Sequence, residues 1–259
     1  MLNRRKMLIA GASMAVASVS RADEKRIPRV IVFDTFGTLV DWRSSLISYL
    51  TEFGVRRGIR ADWAKLIDAW RAQYMPSLNS IRNREQPWAV LDDLHRGSLE
   101  KLVMAHGIRG LSDADLDYIV NGWHKLSPWP DVIPGLNRLK RKFIIGPLSN
   151  GNVSLLVDLA KFSELPWDMI LGADVFEHYK PDREIYTGIA KFLRVPESSV
   201  MLVAAHNNDL GAAKSFGLMT GFIPRPTEYG PGQTTDLKPE GDWTYVATSV
   251  EDLAQQLGA

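Results

Sequence analysis

Five short apolar runs mark the chain, at residues 30–33, 143–148, 169–172, 200–204 and 220–223. They are rich in Ile, Val, Leu and Met and show no polar alternation, the pattern of strands covered on both faces. Helical stretches separate the last four runs, which predicts a mainly parallel sheet flanked by helices. Between about residue 43 and residue 128 the pattern changes, and no strand-like run occurs. Trp63, Leu66, Ile67, Trp70 and Tyr74 fall on one helical face. Leu91, Leu94, Leu99, Leu102 and Val103 continue in that style, as do Leu116, Ile119, Val120 and Trp123. Ser112 and Asp115 have the spacing of a capping box. Pro128, Trp129 and Pro130 then return the chain to the sheet. The expected architecture is α/β: a core from residues 27–42 and 129–259, interrupted after its first strand by an all-helical cap over residues 43–128. The cap tryptophans Trp63, Trp70, Trp88 and Trp123 are expected to set the volume of any pocket beneath it.

Composition narrows the class. The chain has 259 residues, 45% hydrophobic and 24% charged, enough for a large core in one or two domains. A net charge of +1 without a basic stripe argues against a nucleic-acid binder. The densest basic cluster beyond the N-terminus, residues 138–142, reads as the charged end of one helix. The absence of cysteine excludes disulfides, thiol nucleophiles and thiolate metal sites. Residues 1–22 read differently from the rest. Arg4 and Arg5 precede an apolar stretch from Ile9 to Val19, and Ser20-Arg21-Ala22 places small residues where a signal peptidase reads. The stretch is too short for a transmembrane helix. It resembles a twin-arginine export signal, which predicts a periplasmic or exported protein with no stable membrane association; a cytoplasmic enzyme with an amphipathic leader is the alternative.

The chemistry starts at Asp34. Val30-Ile31-Val32-Phe33 carries this carboxylate to the end of a buried strand, and Gly37-Thr38 turns the chain away. A bare carboxylate buried there costs several kcal/mol unless cations and donors surround it. Three further segments supply such groups: Pro147-Leu148-Ser149-Asn150-Gly151, Tyr179-Lys180-Pro181-Asp182 with Tyr186 beyond, and Val203-Ala204-Ala205-His206-Asn207-Asn208-Asp209. Acid, serine, lysine and acid in that order, each placed at a strand's C-terminal end, resemble the haloacid dehalogenase superfamily with its Rossmann-like core. Phe36 stands where family phosphatases carry a second aspartate, so within the superfamily the chain is similar to the type II 2-haloacid dehalogenases. Halide leaves without a proton, so an apolar residue suffices at that place.

The resemblance implies a role for each matching residue. Asp34 is the nucleophile that displaces halide from C2 of a short 2-haloacid, giving an ester that water hydrolyses to a 2-hydroxy acid. Lys180 keeps Asp34 ionised and aimed, and Asp209 positions or activates the water. Thr38, Ser149 and Asn150 bind the nucleophile or the substrate carboxylate, although Ser149 and Asn150 also suit a helix cap, as does Asp209. Arg71, from the Trp70-Arg71 pair, contacts the departing halide. Phe36 and Tyr186 line or support the pocket, with plain packing the competing role for each. Relatives of this type work without metal or cofactor and are often homodimers, so a homodimer without either is expected.

The fourth segment departs from the pattern. Well-known dehalogenases resemble Ser-Ser-Asn-Xaa-Trp-Asp where this chain has Ala204-Ala205-His206-Asn207-Asn208-Asp209. One hydroxyl is lost, and His206 replaces an asparagine with a bulkier group able to donate from both ring nitrogens. It is read either as a donor that narrows the halide pocket and favours fluoride, or as the base that activates water, or as a structural residue. His95, His106, His124 and His178 show no ligand spacing. A Mg²⁺-dependent phosphatase and a non-catalytic anion-binding relative are the competing functions.

Overall fold

A computed structural model describes residues 26–259; the export-signal reading of residues 1–22 lies outside them. Five strands form one parallel sheet: β1 (Val30–Phe33), β2 (Ile144–Pro147), β3 (Val200–Ala204), β4 (Met219–Phe222) and β5 (Tyr245–Val246). Their order is β2-β1-β3-β4-β5, with Val30 opposite both Ile144 and Val200. β1 and β3 are wholly buried, which explains their unbroken apolar composition. β1, paired on both sides, therefore delivers Asp34 to the sheet's C-terminal edge, where ligands of open α/β sheets collect.

Between β1 and β2 the chain is helical. α1 (Trp42–Arg57) starts at Asp41, whose side chain caps it, and α2 (Trp63–Ala72) starts the same way at Asp62. α3 (Tyr74–Arg82), α4 (Leu91–Ala105) and α5 (Asp113–Val120) follow. The capping box of Ser112 and Asp115 opens α5 in both directions. The expected apolar face of α2 is buried at Trp63, Leu66, Ile67 and Trp70, whereas Tyr74 begins the next helix. Trp70 Nε1 donates to the His95 carbonyl at 3.1 Å and so pins α2 to α4. The remaining helices cover the sheet: α6 (Val132–Lys140), α7 (Val153–Phe162), α8 (Arg183–Leu193), α9 (Asn207–Ser215) and α10 (Val250–Gln256).

Residues 169–172 correct the sequence reading: they form no strand. The Asp168 carboxylate takes the Ile145 N–H at 3.0 Å, and the Asp168 N–H reaches the Ile145 carbonyl at 3.0 Å. The groups that would extend the ladder are thus used one residue earlier. Met169 then seats over Gly146, where an added Cβ would meet its Cγ at 2.8 Å. Lys180 is consequently presented by the loop before α8, not by a strand end. β5 was missed because two residues carry no readable period. The tryptophan expectation also changes: Trp63, Trp70 and Trp123 are buried in the helical core, and Trp88 stacks on Tyr179 at 4.8 Å.

Candidate active site

Three chain crossings meet at Asp34. Its Oδ2 accepts from Thr38 Oγ1 at 2.8 Å, and its Oδ1 from Lys180 Nζ at 3.0 Å. The tight turn after β1 brings Thr38 back, and the same hydroxyl accepts from the Ala205 N–H at 2.9 Å, tying it to the end of β3. Lys180 Nζ also donates to Asp209 Oδ2 at 2.6 Å, and Tyr186 OH to Asp209 Oδ1 at 2.7 Å. Asp209 lies in the first turn of α9 with its side chain committed to Lys180 and Tyr186, so it does not cap that helix. Asn150 accepts from the Lys180 N–H at 2.7 Å and donates to Tyr74 OH at 3.0 Å, which fixes the lysine loop.

Charge follows from this geometry. Burial alone would raise the Asp34 pKa, but Lys180, His206 and Thr38 together hold it well below the usual carboxylate range. Burial opposes the charge on Lys180 as well, yet Asp209 and Asp34 push its pKa up to about 12. Asp209 moves the other way: burial and the Asp34 charge outweigh the help of Lys180, so its pKa rises. Two neighbouring carboxylates with opposite shifts are suited to different tasks.

These groups face a cavity of about 740 Å³. Phe36 lines it while packing edge-on to Trp123 at 5.8 Å, so its pocket and packing roles coincide. Arg71 descends from α2 and stacks over Tyr74 at 4.3 Å and over Trp42 at 5.1 Å. Its Nη1 is buried and has no hydrogen-bond partner. Two expected site residues, Thr38 and Ser149, do not line the cavity. Thr38 acts through its bond to Asp34, whereas Ser149 Oγ accepts from the Gly151 N–H at 3.2 Å.

A match to the haloacid dehalogenase-like hydrolase model spans residues 28–217. The chain belongs to this family. A curated relative, (S)-2-haloacid dehalogenase 4A of Burkholderia cepacia, is 31% identical over 210 residues, covering 78% of this chain and 86% of that protein. Among solved structures, a defluorinating L-2-haloacid dehalogenase shares 45% identity at a TM-score of 0.88, covering 90% of this chain and 96% of the other. Another L-2-haloacid dehalogenase shares 48% at 0.87, covering 89% and 99%.

His206, the departure from the family pattern, joins the cluster at its other side. Nδ1 lies 3.1 Å from Asp34 Oδ2, and Nε2 lies 2.8 Å from Glu228 Oε2. Burial opposes its charge, but Glu228 and Asp34 raise its pKa well above the ordinary histidine value. Sequence reasoning missed Glu228, Trp42, Tyr74 and Tyr229 as cavity or site groups. One signal was available for Glu228: it follows the β4 run in a Pro-rich turn, at the edge where Asp34 and His206 also emerge.

Proposed function

We propose that this chain hydrolyses short 2-haloacids to 2-hydroxy acids through an ester on Asp34. The observation that carries the reading is an ionised Asp34 and the Arg71 guanidinium lining one cavity, with Phe36 where a proton donor would otherwise stand. In the first step a carboxylate oxygen of Asp34 forms a bond to C2 as the carbon–halogen bond breaks. The halide leaves with both electrons toward Arg71. Lys180 keeps Asp34 unprotonated and fixes its direction, so that orientation replaces hydration. In the second step water attacks the ester carbonyl carbon of Asp34, and Asp209 orients that water and receives its proton. The bond between that carbon and the oxygen joined to C2 then breaks, and the departing alkoxide takes the proton held by Asp209. The products are the 2-hydroxy acid, a free Asp34 and one proton passed to solvent. Lys180 Nζ sits between Asp34 and Asp209 at 3.0 and 2.6 Å, so a cation of the protein's own already occupies the space between the carboxylates. Phe36, in the place of a second carboxylate, favours dehalogenation over a phosphatase reaction.

Halide release measured by ion chromatography tests the reading, with L- and D-2-chloropropionate, chloroacetate and fluoroacetate as substrates and Asp34→Asn as control. Release that survives a chelator and vanishes in the variant supports it. No release from any substrate refutes it.

Fluoride is the finer reading. A relative 45% identical is described as defluorinating, and His206 sets a ring with a raised pKa beside Asp34 in the same cavity. Fluoride departs only with strong electrostatic assistance, so His206→Asn should abolish fluoride release while chloride release survives. Equal loss of both would assign His206 to water activation instead. Export before action is also proposed, on the strength of Arg4, Arg5 and the apolar stretch after them. Replacing both arginines by lysine should trap the tagged full chain in the cytoplasmic fraction.

A further inference from the structure

Glu228 is 1% exposed, and nothing in the two reaction steps uses it directly. A buried carboxylate of this kind costs several kcal/mol unless its neighbours compensate. Its seat is built for it. Oε1 accepts from Trp42 Nε1 at 3.0 Å and lies 4.0 Å from Arg71 Nη2, while Oε2 faces His206 Nε2 at 2.8 Å. Gly37 makes the room: a Cβ there would stand 2.1 Å from Oε1, and its φ of +87° suits glycine. The turn that carries Glu228 is anchored by Arg225. That residue donates to the Thr38 carbonyl at 2.9 Å and to both oxygens of Asp131 at 2.7 and 3.0 Å.

The two carboxylates around His206 define what its ring can do. An ionised carboxylate only accepts hydrogen bonds. Asp34 is held ionised, so Nδ1 donates to it. Nε2 faces Glu228 Oε2 at 2.8 Å, an acceptor placed to receive a second ring proton. Glu228 Oε1 lies 4.0 Å from Arg71 Nη2, so one carboxylate stands beside both cationic side chains.

We propose that Glu228 is a positioning residue that keeps His206 protonated on both ring nitrogens and holds Arg71 beside it, so that a paired cationic wall receives the departing halide. The inference rests on the dehalogenase reading and extends it to a residue that touches neither substrate nor nucleophile. The groups facing His206 are Asp34 from the end of β1 and Glu228 from the turn after β4. Arg71 acts from α2 through Glu228, and Lys180 and Asp209 act through Asp34.

Two measurements test it. The first needs no activity. The ¹⁵N spectrum of wild-type protein at pH 7.5, with His206 assigned by its loss in His206→Asn, should show protons on both ring nitrogens and a strongly downfield Nε2–H. A ring with bare Nε2 overturns the proposal. The second uses Glu228→Gln, which keeps the shape and the Trp42 contact but can turn an N–H toward Nε2, making that nitrogen an acceptor and the ring neutral. Wild-type halide release should hold within about twofold from pH 6 to pH 9. The variant should approach it at pH 6 and fall about tenfold or more by pH 9, as a histidine nearer its ordinary value loses its proton. Its ring signals should turn neutral over the same range. Parallel pH profiles, or a variant that stays doubly protonated, overturn the proposal. Absence of halide release from the wild type would instead count against the dehalogenase reading, while the wild-type spectrum still decides the role of Glu228.

Discussion

Replacing Lys180 by methionine keeps the length of the side chain and removes the one cation bonded to both Asp34 and Asp209. In the native site its Nζ lies 3.0 Å from one carboxylate and 2.6 Å from the other, and the residue is only 8% exposed. Breaking a buried ion pair by deleting one partner costs about 3–5 kcal/mol. A chain of this size loses roughly 2–4 °C of melting temperature per kcal/mol. The variant should therefore melt about 6–20 °C below the wild type near neutral pH. Asp34 and Asp209 would then be like charges in a dry cavity, and one of them should take up a proton. The sign of the pH effect follows. The wild-type Asp34 pKa is depressed, so its contribution to stability is present above the ordinary carboxylate value and disappears as pH falls through the folded value. In Lys180→Met the carboxylates titrate higher, because an opposite charge at this distance is worth about 1–3 pKa units. The acid limb of the halide burst should move up by a similar amount, and the melting deficit should narrow toward low pH. A scanning calorimeter and a stopped-flow halide indicator from pH 2 to pH 9 read both effects. A variant that melts with the wild type and keeps its acid limb would refute the claim that Lys180 holds Asp34 ionised.

Other perturbations read other parts of the site. Tyr186→Phe removes the 2.7 Å bond to Asp209, and a hydrogen bond to a charged group is worth about 1.5–3 kcal/mol. Ester hydrolysis should slow about ten- to a hundredfold while the halide burst survives, so ester should accumulate on Asp34 in a quenched mass spectrum. Arg71→Lys keeps the charge but loses the flat group stacked over Tyr74 and Trp42. Halide inhibition constants should weaken about tenfold or more, and an unchanged constant would remove Arg71 from the halide site. Gly37→Ala should cost at least about 1–2 kcal/mol from backbone conformation alone, and more from the displaced Glu228, read as a lowered melting temperature. His124 lies 2.9 Å from Asp158 and 3.2 Å from Asp92, joining α4 to α7. Although burial opposes it, the two carboxylates raise its pKa. Its stabilising contribution is therefore full below the ordinary histidine value and is lost as pH rises through the folded one. The melting gap between wild type and His124→Gln should be widest near pH 6 and close toward alkaline pH.

How far the sequence could be read follows from the range of each interaction. Asp34 and Thr38 are four residues apart on one turn, so strand pattern and turn chemistry announce them together. Lys180 and Asp209 needed the order of four segments, because 146 residues separate Asp34 from Lys180 along the chain. The 169–172 run misled because its apolar residues pack over Gly146 and β2 without pairing, and composition does not separate the two. Glu228 was missed for a different reason, despite its place after the β4 run. A glutamate between Thr227 and Tyr229 in a Pro-rich turn reads as solvent-exposed, and only the fold reveals that it is buried.

That burial gives His206 its meaning. Read alone, a histidine replacing an asparagine invites a donor, a base or a filler with equal warrant. Placed between Asp34 and Glu228, with both ring nitrogens against carboxylates, it is a cation in the resting site and cannot take the proton of a water until it has lost one. The base for ester hydrolysis is better sought in Asp209, whose pKa is raised where that of Asp34 is lowered. The cluster thus divides the reaction by side. In the proposed reaction Lys180, Asp209 and Tyr186 serve the water step, and Arg71, His206 and Glu228 the halide step. A variant on one side should alter one step and spare the other, and Tyr186→Phe beside Glu228→Gln is the pair in which that division succeeds or fails.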